Sequence, residues 1–540
     1  MPAFFAAAAT AKIKQLVRLL LSPLLFRPYF TQMLRQMFRP LLLAAGAVLV
    51  TASCAQNPVT GKSDFVVVSE EQELRMGRAY DQQIKKESPL YDHKNGADAA
   101  DAGLAAYVEQ IGVTLAKHSH RNNLDYRFAI QDAPEVNAFA LPGGFIYVTR
   151  GILAYLNSEA ELAAVLGHEI GHVTARHSVR QLSAQQGAQI GLTIASIFIP
   201  GLRNQSAGNI TNIAANALLS GYGREHELEA DRLGAEYLAR TGYPVDAMIK
   251  VIGVLKGQET FDAQLAKEEN RPPRMYHGLF ASHPENDTRL KEVVAEAARV
   301  VAAGVTTQGA AVNQVKAANA GGRRDAFLAK LDGVVFADNT SQGIVRNNIF
   351  YHSELGLVMQ FPAQWRVINQ PDRLRAVPPG GDAFIEVLLE KMPKGTTPED
   401  WLKRKVAVEG DMDLTPVHGQ PAAIANVRGA NVRAGVVALG TADAPRTFAL
   451  VAQAKTADTL KRHVEAINTT FKTMRGFAAA DKKAAEPLRI RIITATAATR
   501  YADLAKGSPL GRHAEDQLRL INAHYPKGEP VPGQKFKVIE

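Results

Sequence analysis

Cysteine is nearly absent: Cys54 is the only one in 540 residues. Intrachain disulfides are therefore excluded, whatever the redox compartment. Long apolar runs are missing too. The two that stand out, PLLLAAGAVLVTAS (40–53) and IGLTIASIFIPGL (190–202), hold 14 and 13 residues, short of the ~20 that a membrane-spanning helix needs. With 46% hydrophobic residues the composition is that of a globular protein and excludes a polytopic membrane protein. Acidic residues are absent from 1–53, where Lys12, Lys14, Arg18, Arg27, Arg35 and Arg39 all lie. These six account for six of the nine net positive charges, leaving +3 for the remainder. The basicity thus belongs mostly to one terminal segment, and no case for nucleic-acid binding remains. Tryptophan is scarce, at two residues, and Trp365 reads as core.

What is present begins with that segment. A basic flank (Arg35, Arg39), a short apolar stretch and small residues before Cys54 read as an export signal over 1–53. The tail VTASC resembles a bacterial lipobox, with Thr51 where leucine is usual, which makes Cys54 the expected lipidation site. Residues 1–32 are unusual for a leader, and Met33 or Met37 would begin a more ordinary one.

Periodicity divides the rest. Residues 69–88 and 99–118 carry helical patterns. LDYRFAIQ alternates apolar residues at Leu124, Tyr126, Phe128 and Ile130, a half-buried strand. GGFIYVT follows a Pro142-Gly143-Gly144 turn as a second strand. Helices dominate from there to about 300. Small polar residues make 302–323 a linker, 324–475 an α+β domain of unassigned role, 476–487 a second linker, and 488–540 a small strand–helix–helix–strand module. The fold class expected is thus multidomain α+β.

The segment SEAELAAVLGHEIGHVTARHS carries the chemistry. Ser158 and Glu161 have capping-box spacing, and Leu162, Val165, Leu166, Ile170 and Val173 recur at helical intervals. On a helix His168 and His172 share one face, one turn apart, so both imidazoles can reach one cation. Glu169 lies about 100° round, beside that face, suited to taking a proton from water rather than to ligating. This is the HExxH pattern. His177, nine residues beyond His168, would lie on the opposite side of a continuous helix and reads as structural or surface-exposed. Downstream, in GYGREHELEADRLGAEYL, Glu227 and Asp231 are four apart, the gluzincin arrangement after HExxH. Glu225 and Glu229 compete in the same window, but the spacing to Asp231 selects Glu227 as third ligand. Asp231 would then orient a ligand histidine by hydrogen bonding. Upstream, an exposed edge strand within NAFALPGGFIYVTRG would hold a peptide by strand addition through Asn137, Ala138, Phe139 and Ala140.

NAFALPGGFIYVTRGIL, ELAAVLGHEIGHVTARHS and REHELEADRLG resemble the HtpX and CAAX prenyl endopeptidase (Ste-type) zinc metallopeptidases. More narrowly they are similar to the periplasmic lipoprotein branch, whose mature starts resemble CAQNPVTGKSDFVVVSEEQE. The resemblance spans about 54–301. It implies a mostly helical gluzincin domain with a small sheet, one zinc ion held by His168, His172 and Glu227, and Glu169 as catalytic base. It also implies an active-site role for His283 and Arg289 of SHPENDTR, with His283 either stabilising an oxyanion or occupying the open zinc position at rest. The multiple membrane spans of the integral members are lacking. Residues 488–540 are similar to a LysM module, which implies binding of glycans such as peptidoglycan, although the usual GDTL opening is missing. Together these readings imply a periplasmic, lipid-anchored metalloendopeptidase at the outer membrane, acting on extended, misfolded or unassembled envelope proteins of almost any sequence. The competing reading is an envelope assembly or cell-wall-binding factor that works through its C-terminal domains.

Overall fold

The computed structural model describes residues 54–66, 68–87, 90–91, 99–184, 222–269, 273, 299, 323–370, 373–440 and 446–540. The expected signal, most of the 302–323 linker, the 190–202 run, His283 and Arg289 lie outside them. Among the described residues no helix is long and apolar enough to cross a membrane.

A short antiparallel hairpin, β1 (Cys54–Gln56) and β2 (Ser63–Phe65), pairs Cys54 with Phe65 and Gln56 with Ser63. From Val68 onward the chain forms a separate, much larger unit. It opens with α1 (Glu70–Glu87) and α2 (Ala99–Ala116), where the helical patterns predict helices. Three strands follow: β3 (Arg127–Gln131), β4 (Ala138–Leu141) and β5 (Phe145–Thr149). β5 is central, parallel to β3 and antiparallel to β4, so β4 is an edge. Then come α3 (Arg150–Tyr155), α4 (Glu159–Thr174), α5 (Arg224–Arg240) and α6 (Asp246–Glu268).

Every residue of α4 is buried. Its sequence EAELAAVLGHEIGHVT has no solvated face, which suits a helix enclosed on all sides. Its start is fastened as the capping motif predicts: Ser158 Oγ accepts from Glu161 N at 3.2 Å. The Glu161 carboxylate accepts from the Asn157 amide at 2.7 Å. Glu159 takes hydroxyl donors from Tyr107 and Tyr243 and a guanidinium donor from Arg323. Those partners come from α2, from the α5–α6 turn and from the last residue of the linker, so distant parts of the chain hold one helix end.

The first core is larger than the sequence blocks imply. Phe327, Leu328, Leu331, Val334 and Phe336 belong to it, contributed by α7 (Arg324–Leu331) and β6 (Val335–Phe336). The periodicity groups these residues with the central block, but β6 pairs with the C-terminal module instead. That module runs β18 (Leu488–Thr494), α10 (Tyr501–Lys506), α11 (Ala514–Ile521) and β19 (Lys535–Ile539), as the strand–helix–helix–strand pattern predicts. Ile490, Tyr501, Leu518, Ile521, Phe536 and Ile539 are buried in the same core as α4. Lys537 is fully buried, and its Nζ donates to the carbonyls of Ala154 and Leu156, both at 2.7 Å, in the turn that leads into α4.

The central block has a core of its own. A seven-stranded antiparallel sheet has the order β10 (Arg366–Gln370), β11 (Arg373–Val377), β12 (Ala383–Glu390), β16 (Arg446–Ala454), β15 (Val432–Leu439), β14 (Ala422–Val427), β13 (Val408–Asp413). A four-stranded sheet joins β17 (Arg475–Gly476) to β9 (Leu357–Gln360), β8 (Ile349–His352) and β7 (Ile344–Arg346). Phe471 and Ile467 of α9 (Ala457–Lys472) fill the core on one face, and Trp401 of α8 (Pro398–Lys405) packs on the other. Trp365 is in this core, as expected. The whole is mixed α+β.

Candidate metal centre

Glycine sets the geometry of the site. α4 and α5 cross where Gly167 and Gly171 meet Ala230 and Gly234. A Cβ on Gly171 would lie 2.8 Å from the Ala230 carbonyl oxygen, and one on Gly234 would lie 3.0 Å from the His168 amide nitrogen. Neither fits without movement. The absent side chains let the two backbones approach closely, which brings the first turns of α5 against the histidine face of α4.

Three ligating side chains converge there. His168 Nε2 and His172 Nε2 are 3.0 Å apart. The Glu227 carboxylate lies 3.6 Å from the first and 3.5 Å from the second. All three residues are buried. Zinc bonds of about 2.0–2.1 Å at tetrahedral angles separate ligand atoms by roughly 3.3 Å. The observed separations bracket that value, and two imidazoles with one carboxylate are a zinc donor set with a fourth position free. The residues present therefore fit the ion. Of the competing carboxylates, Glu225 is exposed and Glu229 is engaged elsewhere.

Asp231 accepts from His168 Nδ1 at 2.7 Å. A proton on Nδ1 leaves the Nε2 lone pair for a metal, so this contact sets the tautomer that ligation requires. Glu169 is wholly buried on α4 beside His168.

His177 departs from expectation. A continuous helix would turn it away, but α4 ends at Thr174. Arg176 takes φ +55°, in the left-handed region, and a new helical segment starts at His177. Arg176 is held in that conformation by its bond to Glu73 at 2.8 Å and by a second to the Val68 carbonyl. The break redirects His177 inward. It has no exposed surface, and its Nδ1 lies 2.9 Å from His172 Nδ1. Its Nε2 is 3.1 Å from Glu229, which also accepts from Arg180 at 2.8 Å. Of the two alternatives expected for His177, the surface-exposed one is thus corrected. Burial holds its imidazole below the usual histidine range. Burial also raises the Glu229 carboxyl, but the bonds from His177 and Arg180 outweigh that and hold it at about 2. The Tyr222 ring stacks on His172 at 4.1 Å and 19°. Sequence reasoning missed Glu229 and Tyr222 as site residues. The available signal was the third histidine five residues after His172, read with a break in the helix.

Among the described residues β4 is an edge strand, as expected, and what its edge offers is backbone. Thr149 N donates to Asn137 O at 2.9 Å, so alternation turns the amides and carbonyls of Phe139 and Leu141 to β5 and those of Ala138 and Ala140 to the open edge. The side chains are not exposed. Ala138 and Ala140 are buried, Asn137 is half-buried, and half-buried Phe139 stacks on Tyr147 at 5.1 Å.

Comparison with known proteins agrees with this geometry. Residues 103–297 match the model of peptidase family M48. The chain is 30% identical over 264 residues to the beta-barrel assembly-enhancing protease of Yersinia pestis, covering 46% of this chain and 49% of that protein. It is 29% identical over 243 residues to the protein of that name from Escherichia coli K12, covering 44% and 46%. It is 26% identical over 206 residues to the metalloprotease YcaL of Escherichia coli K12, covering 37% and 75%. The chain thus spans about half the length of the first two relatives.

Proposed function

We propose that this chain is a zinc-dependent M48 metalloendopeptidase of the bacterial cell envelope that removes misfolded or unassembled envelope polypeptides. The observation that carries the reading is the convergence of His168, His172 and Glu227 at zinc-ligand separations next to the buried Glu169. Zinc held there supplies a Lewis acid that polarises a peptide carbonyl and makes water acidic enough to be deprotonated near neutral pH. Glu169 takes the proton from the attacking water as the new C–O bond forms, and gives it to the departing amine as the C–N bond breaks. Asp231 keeps His168 in its ligating tautomer. The open edge of β4 pairs with extended backbone through Ala138 and Ala140, a mode indifferent to side-chain sequence and suited to unfolded substrates. Relatives named for enhancing β-barrel assembly favour envelope proteins as the substrate class.

The finer reading places the chain in the lipoprotein branch of the HtpX-like peptidases. Cys54 carries the lipid, the protein faces the periplasm, and the outer membrane holds the anchor. His283 and Arg289 act at the site by resemblance alone. The C-terminal module has LysM-like order, but its buried side chains and Lys537 support a packing role over peptidoglycan binding.

The test is substrate trapping. Glu169→Gln should bind zinc and retain envelope polypeptides, identified by mass spectrometry, without cleaving them. Cleavage by Glu169→Gln at the wild-type rate would sink the assignment of the base.

A further inference from the structure

We infer that His177 and Glu229 form the positioning pair for His172, matching what Asp231 does for His168; the inference rests on the zinc-site reading above. His172 offers Nε2 to the site, so its single proton must sit on Nδ1. That nitrogen faces His177 Nδ1 at 2.9 Å, a hydrogen-bond distance only if one of the two carries a proton. His172 holds it, so His177 Nδ1 accepts, and the His177 proton lies on Nε2. There it meets the Glu229 carboxylate at 3.1 Å, whose charge is balanced by Arg180 at 2.8 Å. The other neutral tautomer of His177 would set two N–H groups head to head and leave Nε2 facing a carboxylate without a proton. One assignment therefore satisfies every contact, and it runs in one direction: His172 Nδ1–H to His177, His177 Nε2–H to Glu229.

Packing holds the relay in place. The His177 ring stacks on His226 at 4.3 Å and 18°, and His172 on Tyr222. No exposed surface remains on His177 through which water could replace the bond. His177 does not touch the metal position and is a positioning residue, not a ligand.

The test measures zinc binding to the full chain by competition with a chromogenic chelator. Asparagine at 177 keeps an acceptor near the Nδ1 position, and leucine has the shape without it. His177→Leu should weaken zinc binding about 10–100-fold, while His177→Asn should recover most of that loss. Equal zinc affinity in the two variants, both folded by circular dichroism, would overturn the proposal. If either fails to fold, histidine ¹⁵N NMR of the zinc-loaded wild type decides. A proton on His177 Nε2 supports the relay, and a proton on Nδ1 overturns it. Failure of the zinc-site reading looks different: the wild type would bind no zinc, or His168→Ala would bind it as well as the wild type.

Discussion

Ending the chain after Pro487 removes a module that shares its core with the helices of the metal centre. Ile490, Leu518, Ile521, Phe536 and Ile539 are buried in the cluster that also holds Leu162, Leu166 and Ile170 of α4. Burying such a side chain stabilises by about 1.5–3 kcal/mol. If about half of that area faces the rest of the core, the five contribute about 4–8 kcal/mol across the boundary. Polar ties go as well. Lys537 leaves the carbonyls of Ala154 and Leu156, and α6 loses the Tyr525 bond to Gln264 and the Arg512 pair with Glu268. A domain has about 5–15 kcal/mol in all, so the truncated chain should be marginal or unfolded. At about 2–4 °C per kcal/mol for a domain of this size, any remaining transition should fall by at least ~8 °C. Phe536→Ala is the single-residue counterpart: the ring is fully buried and edge-on to Tyr501, and its loss should cost about 3–5 kcal/mol. The assay is thermal unfolding by circular dichroism with zinc content measured in parallel. A truncated chain that melts cooperatively within about 3 °C of full length and holds one zinc would refute the shared-core argument.

Three further outcomes are expected. Asp231→Ala should lower zinc affinity about 10–100-fold by freeing the His168 tautomer, read by the same chelator competition; wild-type affinity would mean that the 2.7 Å contact is inert. Metabolic labelling with a fatty acid should mark the wild type and not Cys54→Ser; a labelled Cys54→Ser chain would end the anchor proposal, since no other cysteine exists. His352 is buried in the central block, accepts from the Leu355 amide through Nδ1, and is held below the usual histidine range by burial. Its folded pKa is depressed, so the unfolded chain takes up the proton first. The stability it confers is complete above the unfolded value of about pH 6.5 and is lost as pH falls from there through the lower folded value. The gap in thermal midpoint between wild type and His352→Asn, which keeps an acceptor without titrating, should therefore narrow from pH 8 to pH 5. A constant gap would show that His352 does not titrate with folding.

Much of the site was legible because it depends on local spacing. HExxH places two imidazoles on one helical face whatever surrounds the helix, since the 3.6-residue turn is set by backbone hydrogen bonding. Ser158 and Glu161 announced the start of α4 in the same way, through side-chain bonds within one turn. The strand at 127–131 and the strand–helix–helix–strand order near the C-terminus followed from periodicity alone. The choice of Glu227 over Glu225 and Glu229 also came from spacing, by way of Asp231.

The tertiary structure decided what depends on contacts between distant segments. The approach of α5 to α4 rests on glycines whose missing side chains matter only once the two helices cross. Ala175 and Arg176 carry no helix-breaking residue type, so the turn there is invisible in sequence; it exists because Glu73, a hundred residues earlier, holds the Arg176 guanidinium. With the bond to the Val68 carbonyl, that contact accompanies the break that brings His177 from the back of a helix to the flank of His172. Likewise, the C-terminal module reads as a separate domain because its own pattern is complete. It is part of the core around α4 because its apolar side chains and Lys537 find their partners there. Local hydrogen bonding makes the elements predictable from sequence, while burial, which has no sequence range, assigns them their neighbours.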